Sequence, residues 1–71
     1  NDGEQICFLM KDLIEKRRSG NALSDEELDN LIAYYSNLTS LLKEQGERGH
    51  IYWYYFFIEL DALLSFKAAR Q

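Results

Sequence analysis

At 71 residues, with eight basic and twelve acidic side chains and a formal charge of −4, the chain reads as one small domain whose charge disfavours a polyanionic partner. Its one cysteine excludes an intrachain disulfide and, with one histidine, a closed zinc site, so no metal or other cofactor is expected. A domain of this size buries only roughly 60–65% of its unfolded surface, and with those staples excluded self-association is the remedy left.

The composition fits that reading, being 46% hydrophobic and 14% aromatic. A lone cysteine and no signal-like segment favour a reducing, cytoplasmic setting, and the start at Asn1 rather than Met leads us to expect trimmed residues upstream. Proline is absent and glycines stand at positions 3, 20, 46 and 49. Glycine is the usual helix stop and proline-free interiors allow unbroken turns, so the spacing predicts helices at about 4–18, 25–45 and 50–69.

The first helix has Asp2 as a candidate cap with Gln5 three residues on. Ile6, Met10, Leu13 and Ile14 follow at helical spacing, and Lys16, Arg17 and Arg18 close it with the charge a helix C-terminus favours. Cys7 reads as a small buried hydrophobe, since the activating cations are a turn or more away.

The second helix is the best specified. Ser24 supplies a hydroxyl cap, Glu27 the glutamate at the third helical position, and Asp25 and Glu26 complete an acidic first turn. Leu28, Leu31, Tyr35, Leu38 and Leu42 then recur at spacings of three and four, as in any helix packed lengthwise in a bundle. Asn37-Leu38-Thr39 matches a glycosylation sequon, but Leu38 belongs to that seam.

The third helix carries six aromatic residues in a row, Tyr52, Trp53, Tyr54, Tyr55, Phe56 and Phe57. At about 100° per residue such a run reaches every side of a helix, so one neighbour cannot cover it. The segment has strand propensity, but no second strand-like segment exists to pair with it, and helix is the consistent assignment. Phe56, Leu60, Leu63, Leu64 and Lys67 share helical spacing, with Glu59, Asp61 and Ser65 marking a narrower polar side. The element reads as the central, most buried helix of an assembly. Its apolar stretch is shorter than the roughly 20 residues a bilayer needs and is interrupted by Glu59 and Asp61, so no membrane span is expected.

Residues 23–46 carry five acids and one base, much of it explained by capping. A nucleic-acid footprint would have to use Lys16, Arg17 and Arg18, with Lys11 and Arg48 as outliers, and a dimer could bring two such ends together. Catalytic constellations are thin. His50, beside Gly49 at an expected turn, is the only neutral-pH base, and no phosphate loop, metal-ligand pair or nucleophile elbow accompanies it.

The run Glu27-Leu28-Asp29-Asn30-Leu31-Ile32-Ala33-Tyr34-Tyr35, preceded by Ile14-Glu15 and Arg18, resembles the signature of the small two-helix phosphatases that act on sporulation response regulators. That family carries Ser-Gln-Glu-Leu-Asp, whereas Asp25 and Glu26 stand here where Ser and Gln belong. The resemblance implies a phosphatase-like regulator with Glu27 and Asp29 as the polar motif residues. It covers about nine residues and does not reach the aromatic helix.

Taken together, the sequence leads us to expect an all-α three-helix bundle that forms a homodimer, with the aromatic third helix at its core and interface. It would act without catalysis as a cytoplasmic protein-binding regulator. A nucleic-acid-associated regulator and the phosphatase-like regulator are the alternatives.

Overall fold

The computed structural model describes the backbone of residues 2–46 and 50–70, and the side chains of 10–46 and 51–70. It is all-α, with helices α1 (Asp2–Arg18), α2 (Asp25–Glu44) and α3 (His50–Ala69) and, among the described residues, no strand. The bounds of α2 and α3 agree with the sequence pattern to within a residue. Helix α1 begins two residues earlier than expected, so Asp2 is its first helical residue and not a cap preceding it. His50 likewise opens α3 instead of standing in the turn; its side chain and that of Cys7 lie outside those described.

Local chemistry accounts for the ends. The Ser24 side chain accepts from the Glu27 N–H at 3.1 Å while the Glu27 carboxylate accepts from the Ser24 N–H at 2.9 Å, the reciprocal capping box. At the end of α1, Gly20 N–H donates to Arg17 C=O and Asn21 N–H to Lys16 C=O, the paired bonds of a Schellman motif. That motif needs a left-handed residue, and Gly20 has φ +80°. Gly46, at φ +67°, follows α2 in the same way.

The core is small and is centred on α2. Leu28, Leu31 and Tyr35 of α2 and Leu63 of α3 are buried, and Met10, Leu13, Ile14, Leu23, Ile32, Tyr34, Leu38, Phe56 and Leu60 pack around them. Helix α2 therefore occupies the central place in the single chain, packing against both neighbours. Within the single chain α3 is buried less than α2: of its described side chains only Leu63 is fully buried. The physical reason is coverage. Among the described residues α3 has one packing neighbour of any extent, and one neighbour covers only the stripe Phe56, Leu60 and Leu63 at spacings of four and three. Leu64, expected on that stripe, lies a step further around and is 46% exposed.

The shape is open for the chain's size. The radius of gyration is 12.6 Å, against roughly 11 Å for a compact domain of this length. The accessible surface is 5558 Å², where a folded monomer of 8.4 kDa exposes roughly 4,600 Å².

Candidate interaction surface

Among the described residues, the exposed large hydrophobic side chains lie almost entirely on α3. Ile51, Tyr52, Tyr54, Tyr55, Phe57, Ile58, Leu64 and Phe66 are all exposed, from 46% at Tyr55 and Leu64 to 79% at Ile51. Residues 51, 55, 58 and 62 recur at spacings of four, three and four, which draws an apolar line along the helix on the side turned away from Phe56, Leu60 and Leu63. A solvated helix would carry charge there. Asp61 is the only charged residue among the outward ones between Ile51 and Ser65.

The six aromatic residues separate into distinct roles. Phe56 turns inward and packs its ring on Tyr35, with centroids 5.7 Å apart, so it belongs to the core. Trp53 is half-buried and stacks on Phe57 at 5.4 Å and 26°, one turn along, and meets the edge of Tyr54 at 6.4 Å. Tyr55 sits edge-on to Phe56 at 5.4 Å, and its hydroxyl accepts from Arg18 Nη2 at 3.2 Å. Tyr52, Tyr54 and Phe57 stand outward. The apolar surface thus combines one stacked ring pair and edge-on neighbours with Ile51 and Ile58, two aliphatic residues that attention to the aromatic run alone misses. A count of apolar residues on the helix face opposite Leu63 would have found them.

The basic triplet at the end of α1 is held within the molecule. Lys16 Nζ donates to both oxygens of Glu27, at 2.9 and 3.1 Å. Arg17 lies 3.5 Å from Glu59 and 5.5 Å from the centre of the Phe66 ring, and Arg18 donates to Tyr55. Each cation thus binds α2 or α3, beyond the dipole role expected of a helix end, and has less to offer a phosphate. Glu59, read as part of an exposed polar side, is half-buried because it faces Arg17.

Two further ion pairs tie α3 and the residue that follows it to α2: Lys67 with Asp29 at 2.7 Å, and Arg70 with Asp25 at 2.9 Å. Arg70 also donates to the Leu23 carbonyl. Between these elements lies a cavity of about 270 Å³ lined by Arg17, Leu23, Leu28, Phe66 and Arg70. Its two guanidiniums already face Glu59 and Asp25, so it is a charge-compensated gap at the helix junction. The motif residues Glu27 and Asp29 both serve in these structural contacts.

Among the described residues there is no group of three or more histidine, cysteine or carboxylate side chains disposed to hold a metal, and no helix is long and apolar enough to cross a membrane. No family model, curated protein or solved structure matches the chain, so the resemblance at Glu27–Tyr35 rests on those residues alone.

Proposed function

We propose that the chain is a non-catalytic protein-interaction module that works as a homodimer, docking through the outward face of α3. The observation that carries this reading is the exposed apolar line on α3 in a chain that shows roughly 900–1,000 Å² more surface than a folded monomer of its mass. A standard interface removes about 800 Å² from each partner. The surplus therefore matches one protein interface, and contiguous apolar patches of this kind mark association sites in soluble proteins. The intramolecular engagement of Lys16, Arg17 and Arg18 weighs against a nucleic-acid role.

Sedimentation equilibrium tests it. At micromolar concentration the protein should run at about 17 kDa, twice its 8.4 kDa, and Ile58→Lys, at an exposed position away from the core, should return it to monomer with helical circular dichroism unchanged. A wild-type monomer at ~100 µM refutes the homodimer.

A further inference from the structure

Given that α3 is the docking face, we infer that two copies pair their α3 helices antiparallel, with the two-fold axis passing close to Ile58. Shape sets the order. In the first half of α3 the outward residues are large: Ile51, Tyr54, Tyr55 and Ile58, all exposed. In the second half the positions along that line are the smaller Asp61, Ala62 and Ser65, with the large Phe66 beside them on the flank where Arg17 lies over its ring, and the Ser65 hydroxyl folds back onto the Asp61 carbonyl at 3.1 Å. The face is thus a ridge followed by a shallow.

An isologous interface must be complementary to itself. Parallel pairing sets ridge against ridge at one end and leaves a gap at the other, which forfeits contact. Antiparallel pairing lays each ridge in the other copy's shallow. With the axis at Ile58, the two Ile58 side chains meet, Tyr54 covers Ala62 of the second copy, and Ile51 covers its Ser65. The opposed helix dipoles favour the same order.

One polar contact supports it independently. Asp61 is the single carboxylate on this face, and among the described residues it has no cation partner. The same register places it opposite Tyr55 of the second copy. The Tyr55 oxygen accepts from Arg18, which leaves its O–H free to donate to a carboxylate.

The register is read by the distance between the two C-terminal ends of α3. A nitroxide on the exposed Ala69, as Ala69→Cys in a Cys7→Ser background, should give a pair separation near 33 Å by electron-electron resonance, from 22 residues of axial offset at 1.5 Å each. A distribution below about 20 Å overturns the antiparallel order while leaving the dimer standing. The unmodified protein offers a second measurement: in a mixed isotopically labelled dimer, the Ala62 methyl should show a nuclear Overhauser contact to the Tyr54 ring, groups roughly 12 Å apart along one helix and so able to meet only between copies. Its absence in a sedimenting dimer also overturns the register. A monomer in sedimentation overturns the docking reading itself.

Discussion

A single carboxylate joins two elements. Glu27 Oε1 accepts from the Ser24 N–H and from Lys16 Nζ, both at 2.9 Å, so the start of α2 and the end of α1 share one acceptor. Those bonds, Ser24 first and Lys16 next, hold the Glu27 carboxyl below its ordinary value of 4.5. A depressed carboxylate stabilises the fold fully above its unfolded value and ceases to do so as pH falls through the folded one. Urea midpoints should therefore fall as the solution is taken below pH 4.5, and Glu27→Gln, which keeps an acceptor but not the charge, should flatten that part of the profile while lowering the midpoint at pH 7. An unchanged acid profile in the variant would assign the acid loss to other groups. The Ser24 half of this arrangement was legible in sequence because a spacing of three fixes it. The Lys16 half was not, since it depends on how the loop of residues 19–24 folds back. Thr39 was missed for a related reason: the apolar seam passes over it, yet it is buried because its hydroxyl is satisfied locally by the Ser36 carbonyl at 2.9 Å.

Among the elements, the turn after α1 is the simplest to test. A Cβ at Gly20 would meet nothing within 4 Å, so Gly20→Ala isolates the conformational penalty of a left-handed residue. It should lower stability by ~1–2 kcal/mol in thermal or urea unfolding, with the association of the folded protein unaltered. A neutral substitution would show that the turn adopts another conformation at no expense. The three helices and their ends were readable because glycine placement and capping are local signals. The inward stripe of α3, Phe56, Leu60 and Leu63, was readable from its spacing as well, but its edge was not: Leu64 falls outside it, because apolar residues occupy nearly every angle of this helix and spacing alone does not bound the stripe. What fixes the direction is the fit of Phe56 against Tyr35 and the pull of Glu59 towards Arg17, both of them contacts between residues more than twenty positions apart in sequence.

For the whole molecule, charge and surface act in opposite directions. Each copy carries a formal −4, so the proposed pairing would bring like charges together, while the α3 contact proposed for it is mainly apolar and would respond little to salt. Raising the salt from ~20 to ~300 mM shortens the Debye length several-fold and should tighten the dimer, read as a lower dissociation constant in sedimentation. Weakening with salt would mean that ion pairs, not rings and aliphatic side chains, hold the copies together. The sequence made the need for a cover visible, through the length of the aromatic run. It could not show how much surface was left over, because that quantity exists only once α2 has taken its share.

The way α1 is attached has a consequence for how the molecule comes apart. None of the fully buried side chains belongs to α1 among the residues described; Met10, Leu13 and Ile14 rest against the core from outside, and the ties to the rest are Lys16, Arg17 and Arg18 in the last turn. Opening free energies follow buried contact, so the amide protons of residues 10–18 of α1 should exchange through a shallower opening than those around Leu31 and Leu63. The α2–α3 hairpin is the durable part. Over its described side chains, residues 10–18, α1 is a leaf fastened at its last turn, and when that part lifts, the side of α2 that it shields is briefly bare.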